Sequence, residues 1–198
     1  MPRVPALLLA STSPRRRQLL TAAGIAFALC EPGPEYESGG DFDHSEVGEP
    51  IRLAAARARR KALGAVVAAA DGLVLGVDTV VDLDGVELGK AQDRAQAEQY
   101  LRRLLGREHA VHTAHCLVRG RDGRRFERTA TARVRFAAAS DAALARYLDS
   151  ENWRGKAGAY GIQDEAQDFI ALAGGELDTV VGLSIAGVRA LLAAAEVP

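Results

Sequence analysis

"ALLLASTSPRRRQLLTAAG", residues 6–24, sets three consecutive arginines directly behind an apolar run and a Ser-Thr-Ser-Pro turn. The apolar residues 6–10 predict a short buried strand. A helix is expected from about 14 to 23, with Ser13 as its N-cap and Pro14 as its first residue. Backbone N–H groups, hydroxyls and guanidinium groups would then meet at the positive end of a helix, which is typical of an anion site.

Phosphate is the anion that this arrangement favours, because arginine binds phosphate through two parallel hydrogen bonds. The sequence has no G-x-x-x-x-G-K-[ST] motif, which excludes an ordinary Walker loop. A solvated basic first turn is the simpler alternative. Arginine in a first turn opposes the helix dipole, however, at a cost of ~0.3 to 1 kcal/mol per charge, and that cost favours a functional role.

The composition indicates a globular protein without a dominant surface charge. The 198 residues are 48% hydrophobic, which is enough for a sizeable core. Lys plus Arg number 25 against 26 Asp plus Glu, and this balance argues against a protein that coats nucleic acid or an anionic membrane. No apolar stretch reaches the ~18 residues of a spanning helix. The N-terminal apolar run is short and interrupted by Pro5, so a cytoplasmic protein without a secretion signal is expected.

The two cysteines give no sign of a disulfide framework or a zinc site. Cys30 and Cys116 lie far apart, and the sequence has no C-x-x-C pair. Both are therefore expected to be buried as small hydrophobic side chains.

Local patterns along the rest of the chain predict a mixed α/β fold. An acidic loop is expected between Glu31 and Pro50, and a glycine-bearing loop at 150–165. Helices are expected at 50–70, at 93–106, after Ser140 and after Gly182, and strands at 72–90 (a hairpin that turns at Asp84 and Gly85), 109–120, 124–136 and 168–173. Long antiparallel hairpins mixed with helices favour a mixed, largely antiparallel sheet over a purely parallel one.

Asp78 is a carboxylate inside the otherwise apolar segment LVLGVDTVV, residues 73–81. A buried carboxylate needs a compensating partner. Lys90 lies at the far end of the same hairpin and could bring its ammonium group towards Asp78 or a bound phosphate. Asp78 is thus either a catalytic group or an ordinary carboxylate at a strand end or a solvated face.

Three histidines and a group of arginines mark the second hairpin. In a strand His109 and His115 share one face and His112 takes the other, so the three cannot converge on a metal ion. The arginines flank the hairpin turn and are expected to be solvated; they are Arg119, Arg121, Arg124, Arg125 and Arg128. A nucleic-acid-binding hairpin would be expected to have aromatic residues between the arginines, in a chain with a net positive charge.

Five segments resemble the Maf family of nucleotide pyrophosphatases. They are, in chain order, LLLASTSPRRRQLL at 7–20, VLGVDTVV at 74–81, GK at 89–90, LLGREHAVHT at 104–113 and KAGAYGIQ at 156–163. The resemblance implies the fold of the inosine triphosphate pyrophosphatases: an elongated mixed sheet with flanking helices and a central cleft. Residues 1–198 would form this fold as a single domain or as two lobes about the cleft.

The resemblance also implies an activity. Members of the family are cytoplasmic, often dimeric hydrolases that cleave a nucleoside triphosphate to the monophosphate and pyrophosphate with a divalent cation. A nucleoside triphosphate substrate, a cation such as Mg²⁺, Mn²⁺ or Co²⁺, and a homodimer are therefore expected here. Such a cleavage requires an anion cradle, a metal ion held by carboxylates and a base for the attacking water.

Site residues carry over one by one from the matching motifs. The residues that match the family's phosphate-binding loop are Ser11, Ser13, Arg15 and Arg16. Asp78 matches the catalytic carboxylate, which would take a proton from the attacking water, and Lys90 would balance phosphate charge as it develops. A further family carboxylate falls within GPEYES, residues 33–38; an ungapped count ends on a tyrosine, and Glu37 is chosen over Glu35.

Residues expected to bind substrate come from three other matches. A family lysine in the helical motif RLAxxKA corresponds to Arg57 in RLAAARA, which keeps the charge but changes the hydrogen-bond geometry. Lys156 and Gln163 bound the segment KAGAYGIQ, and Thr79 follows the catalytic carboxylate.

Two subgroups of the family differ near the base-binding end of the cleft. Arg15, Thr79 and Gln163 side with the subgroup that is implied to prefer dTTP and UTP over 7-methyl-GTP. A glutamine amide can donate to O4 and accept from N3–H of thymine or uracil, whereas a glutamate would accept from two guanine donors. Modified pyrimidine nucleotides fit the same pattern.

Other readings stay open at this point. The chain could belong to the 7-methyl-GTP subgroup, or it could be a nucleotide-binding regulator of cell division or septation without turnover. It also departs from the family pattern at four positions outside the Arg57 motif. Ala91 and Ser184 replace prolines, and Asp164 and Glu165 replace small residues after the glutamine, which leaves fine substrate preference open.

Overall fold

The computed structural model of the chain describes residues 7–32, 49–65, 72–165 and 167–196. Its helices are α1 (Pro14–Ala22), α2 (Pro50–Ala65), α3 (Arg94–Leu104), α4 (Asp141–Asp149), α5 (Leu177–Val181) and α6 (Ile185–Glu196). Its strands are β1 (Leu7–Ala10), β2 (Ala28–Cys30), β3 (Leu73–Leu83), β4 (Val86–Leu88), β5 (Glu108–Arg119), β6 (Arg125–Phe136) and β7 (Ile170–Gly174).

The strands form one mixed sheet, as the hairpin pattern predicts. Their order is β2-β1-β3-β5-β6-β7, and β4 also pairs with β3. β1 runs parallel to β2 and β3, whereas β3, β5, β6 and β7 pair antiparallel in sequence. The predicted α/β class with a largely antiparallel sheet and flanking helices is confirmed.

One edge of β3 is interrupted, and this interruption positions the site. β5 pairs with β3 from Leu73 to Asp82, so it occupies one edge along almost the whole strand. β1 pairs with the other edge up to Gly76, and β4 pairs with it again only from Val81. Among the described residues, no strand pairs with this edge at positions 77–80. We call this gap the notch; Asp78 and the residue after it lie within it.

Helix α2 covers one face of the sheet at very short range. A Cβ atom added to Gly76 would lie 2.2 Å from the carbonyl oxygen of Ala58 and 2.6 Å from the amide nitrogen of Ala62. Only glycine lets the helix backbone approach the strand so closely. Because successive strand side chains point to opposite faces, the even-numbered residues of β3, Asp78 among them, face α2.

The opposite face of the sheet packs against α1 and α6. The buried side chains of this cluster include Leu9, Leu20, Leu75, Leu117 and Val188. The two helical layers thus enclose the sheet, and burial of these side chains supplies most of the driving force for folding.

Local capping signals placed several elements correctly. The Asp93 carboxylate accepts from the amide of Gln96, and the Ser140 hydroxyl accepts from the amide of Ala143. Two short elements, β2 and α5, were not anticipated. None of the helices in the described ranges is long and apolar enough to span a membrane.

Two expectations about individual side chains are wrong. Cys116 is buried as expected, but Cys30 is partly exposed because it lies on the edge strand β2. Arg119 is only 6% exposed; it pairs with Asp122 at 2.7 Å and donates to the carbonyl oxygen of Ala195 at 2.9 Å. Helix α6 therefore closes over one side of the hairpin end, which the local pattern could not reveal.

Candidate active site

Arg16 is fixed at the entrance of α1 by three hydrogen bonds. Its Nε donates to the carbonyl oxygen of Gly182 at 2.9 Å and its Nη1 to the hydroxyl of Ser11 at 2.9 Å. Its Nη2 donates to the hydroxyl of Thr79 at 3.4 Å. Arg16 is buried as a residue, and these hydrogen bonds set the orientation of its guanidinium before any ligand binds.

Ser13 takes the N-cap position of α1, as predicted, but its side chain makes no capping hydrogen bond. The amide of Ser13 instead donates to the hydroxyl of Ser11 at 3.3 Å. The loop therefore bends back on itself, and both serines line a cleft. This arrangement suits an anion at the helix N-terminus.

Asp78 lies in the notch with a buried carboxylate whose two oxygens differ. Oδ1 accepts a hydrogen bond from Lys61 Nζ at 2.8 Å. Oδ2 is buried and has no hydrogen-bond partner within the described ranges. Arg57 Nη1 lies 4.0 Å from Oδ2, beyond hydrogen-bond distance. One oxygen is thus held by a lysine, while the other is open for a proton or a metal ion.

Lys61 was missed by the sequence reading, and the reason is a shift of one helical turn. The motif RLAxxKA was placed at 52–58, which put its lysine at Arg57. Lys61, followed by Ala62, satisfies the end of the same motif four residues later. Positions 57 and 61 share one helix face, but only Lys61 donates to Asp78 and lines the cleft.

Arg57 lies beside the site without lining the cleft. Its Nη1 and Nη2 donate to the two carboxylate oxygens of Glu87 at 2.5 and 3.2 Å. Of the two residues, Lys61 and not Arg57 therefore lines the cleft, and Arg57 pairs with a carboxylate on β4.

A cleft of about 420 Å³ opens at the notch. It brings together the expected residues Ser11, Ser13, Arg15, Arg16, Asp78, Thr79, Lys90, Lys156 and Gln163, and it adds Lys61 and Arg154. Glu35 and Glu37 lie outside the described residues. The cleft lining has more basic side chains than its two carboxylates, Asp78 and Asp164, and this excess of positive charge suits a polyanionic ligand.

The far end of the cleft is organised by Asp164, one of the departures from the family pattern. Lys156 Nζ donates to both oxygens of Asp164 at 2.5 and 2.7 Å. The hydroxyl of Tyr147 donates to Asp164 at 2.7 Å and accepts from the amide of Gly161 at 3.0 Å. Burial raises the pKa of Tyr147, so it stays a donor. These bonds tie the loop that carries Gln163 to helix α4.

A second set of bonds holds the turn that receives Arg16. The hydroxyl of Thr113 donates to the carbonyl oxygen of Thr179 at 2.7 Å and lies 2.9 Å from the hydroxyl of Thr79. His115 Nε2 accepts from the amide of Ser184 at 3.0 Å. Ser184 lies where the resemblance implies a proline, and this bond satisfies the backbone amide that a proline would lack.

The three histidines of β5 have separate partners. His109 forms a hydrogen bond with the hydroxyl of Tyr160, and His115 forms one with the turn before α6. His112, on the opposite face of the sheet, forms one with Asp82. Burial lowers the pKa of His109 and of His115 to about 4. Within the described ranges, no group of three or more metal-ligating side chains is present.

Comparison with known proteins covers nearly the whole chain. Residues 6–195 match the family model described as "Maf-like protein". A dTTP/UTP pyrophosphatase of Rhodopirellula baltica is 39% identical over 192 residues, which cover 96% of this chain and 82% of that protein. The dTTP/UTP pyrophosphatases of Bordetella pertussis and Thermus thermophilus are 40% and 41% identical over 194 and 191 residues. These alignments cover 96% and 95% of this chain and 93% and 94% of theirs.

Proposed function

The chain belongs to the Maf family, and we propose that it hydrolyses dTTP and UTP to the corresponding monophosphates and pyrophosphate. One observation carries the chemistry: Asp78 lines a cleft together with Arg16 and Lys61, and its buried Oδ2 makes no hydrogen bond in the described part of the chain. The relatives named dTTP/UTP pyrophosphatase support the activity and the substrates.

The phosphates would bind at the entrance of α1. Arg16 is already oriented by Gly182 and Ser11, so little side-chain entropy is lost when phosphate arrives. Ser13 adds a hydroxyl at the N-terminus of α1, and Lys90 lines the same cleft. Fixed donors of this kind stabilise the negative charge that grows on the phosphoryl oxygens in the transition state.

Asp78 would act as the general base. Its Oδ2 takes a proton from a water molecule while the water oxygen bonds to a phosphorus of the α–β anhydride. The bond between that phosphorus and the bridging oxygen breaks, and pyrophosphate and the monophosphate separate. Lys61 on Oδ1 keeps the carboxylate in place and balances its charge, since an isolated buried carboxylate would be costly.

A divalent cation fits this donor set. Mg²⁺ and similar ions prefer oxygen ligands and are commonly held by one or two carboxylates together with substrate phosphates. With Oδ2 of Asp78 assigned to the proton, substrate phosphates would supply most of the cation's ligands, and the negative carboxylate of Asp78, which lines the same cleft, would balance part of its charge. The bound cation would polarise phosphoryl oxygens and lower the pKa of a coordinated water. We propose Mg²⁺, Mn²⁺ or Co²⁺ for this role.

Base selection would take place at the far end of the cleft. The Gln163 amide can donate to O4 and accept from N3–H of thymine or uracil, and the Tyr147–Asp164 bond anchors its loop. Arg15 and Thr79 line the same cleft.

We also propose that the chain forms one catalytic domain, assembles as a homodimer and is located in the cytoplasm.

The test is pyrophosphate release from dTTP, UTP and 7-methyl-GTP with each of the three cations. D78N should lower kcat by at least ~100-fold, because general-base catalysis contributes about 10²- to 10⁴-fold, while nucleotide binding persists. D82N is the matched control: Asp82 lies on the same face of β3 but outside the cleft, where it accepts from the amide of Gly85.

Three results would contradict the proposal. Unchanged turnover by D78N would remove Asp78 as the base. Activity on 7-methyl-GTP with none on dTTP or UTP would overturn the substrate assignment. Nucleotide binding by the wild-type chain without turnover under any of the three cations would indicate a regulatory protein instead.

A further inference from the structure

Two carboxylates compete for one guanidinium beside the catalytic group. Arg57, on α2, lies between Glu87 of β4 and Asp78 of β3. Its Nη1 is 2.5 Å from Glu87 Oε1 and 4.0 Å from Asp78 Oδ2. Its Nη2 completes a two-point contact with Glu87 Oε2 at 3.2 Å. The arginine is thus committed to Glu87 and stops about one ångström short of hydrogen-bonding Asp78.

Sheet register places Glu87 where it can make this contact. Glu87 pairs with Asp82 across the hairpin, and directly paired residues project to the same face of a sheet. Asp82 and Asp78, four residues apart on one strand, also share a face. Glu87 and Asp78 therefore both point towards α2, where Nη1 of Arg57 lies near both.

An arginine on Asp78 Oδ2 would disable the base. Lys61 already holds Oδ1. A second charge-assisted bond to Oδ2 would occupy the remaining oxygen and stabilise the charged carboxylate against accepting a proton. Asp78 is also the more deeply buried of the two acids, with side-chain exposures of 11% for Asp78 and 25% for Glu87. An ion pair there would be screened less by solvent.

We propose that Glu87 is a positioning residue that holds Arg57 away from Asp78 and so keeps the catalytic oxygen open. The proposal rests on the function assigned to Asp78 Oδ2 above. Arg57 balances the local negative charge from a distance without occupying the base, and this separation lasts only while Glu87 binds the guanidinium at two points.

The experiment compares E87Q with the double variant R57Q/E87Q. In E87Q the guanidinium loses its charged partner and should move onto Asp78, which lowers kcat for dTTP by roughly tenfold with less than a twofold change in KM. Removing the arginine as well should restore most of the lost kcat. A crystal structure of E87Q should show an Arg57 Nη atom within hydrogen-bond distance of Asp78 Oδ2.

A matched control exists on the same helix. Arg59 donates to both oxygens of Glu127 at 2.7 and 2.9 Å, and neither residue lines the cleft. E127Q should leave kcat unchanged, and thermal melts of all variants should show that each is folded at the assay temperature.

Two results would overturn the inference. E87Q with wild-type kcat would mean that Arg57 does not capture Asp78. A double variant as slow as E87Q would mean that Glu87 acts directly rather than through Arg57. Failure of the proposed function is distinguishable, because it appears as retained turnover in D78N, whatever E87Q does.

Discussion

Replacing Gly76 by alanine tests whether the approach of α2 to β3 builds the site. The added Cβ would lie 2.2 Å from the carbonyl oxygen of Ala58, 2.6 Å from the amide nitrogen of Ala62 and 2.9 Å from its Cβ. Two of these atoms belong to the helix backbone and cannot rotate away. Relief therefore requires α2 and β3 to separate by about 1 Å, since atoms in protein interiors are already closely packed.

The separation has a stability component and a catalytic component. Overpacking costs about 1 to 3 kcal/mol, and a backbone clash belongs at the upper end, so the melting temperature should fall by roughly 6 to 12 °C for a domain of this size. Lys61 moves with α2 relative to Asp78. A 1 Å misplacement of a catalytic group can lower kcat by about 100-fold.

The assay is a thermal melt together with pyrophosphate release from dTTP at a temperature where the variant is fully folded. G174A is the matched control, because a Cβ on Gly174 of β7 would meet only the Cβ of Arg133, at 4.0 Å. It should melt and turn over like the wild type. A G76A protein with the wild-type melting temperature would refute the packing argument, and lowered stability with full kcat would refute the coupling of α2 to catalysis.

Two further predictions concern the far end of the cleft and the buried histidines. D164N should raise KM for dTTP several-fold with little change in kcat, because Lys156 loses its charged partner. The control is E165Q, at an exposed neighbour, which should change neither KM nor kcat. Equal KM values in the two variants would contradict the prediction. His109 and His115, whose pKa values are about 4 in the folded protein, take up protons near pH 6.5 once unfolded. Stability should therefore be full above about pH 6.5 and fall towards pH 4 by up to ~1.4 kcal/mol per pH unit for each histidine. Urea unfolding at several pH values should show a shallower fall in H115Q, and an identical fall would contradict this.

The elements that were predictable from the sequence carry local signals. Asp84 and Gly85 both adopt positive φ, 56° and 80°, as the two-residue hairpin turn requires. Asp93 and Ser140 cap the helices that follow them. In each case the residue that determines the turn or the helix start lies within a few positions of that element.

The elements that were missed depend on contacts across the fold. β2 is three residues long with two exposed side chains, so its sequence has no alternation of apolar and polar residues that would predict a strand. Only its parallel pairing with β1 defines it. Arg119 looked like part of a solvated hairpin end, yet its guanidinium binds a carbonyl oxygen 76 residues away. Lys61, which donates to Asp78, lies one helical turn beyond Arg57, and the difference between the two positions is visible only in their distances to Asp78.

Asp78 and Ser184 are both unusual for their positions, but only one of them is fully satisfied by the fold. Asp78 is a charged residue in an apolar strand, and Lys61 donates a hydrogen bond to one of its oxygens. Ser184 has a backbone amide at a position where the resemblance implies a proline, and this amide donates to His115. The amide of Ser184 is fully satisfied by that partner, so the departure is closed within the fold. Asp78 keeps one buried oxygen without a hydrogen bond among the described residues, at a notch where β3 also gives up its strand pairing. Burial of a polar atom without a hydrogen bond is costly. Asp78 Oδ2 is such an atom in a residue that lines the cleft, whereas His109, whose Nδ1 also has no partner in the described ranges, lies outside the cleft. The unbonded oxygen together with its place in the cleft is therefore a sharper sign of function than the unusual residue itself.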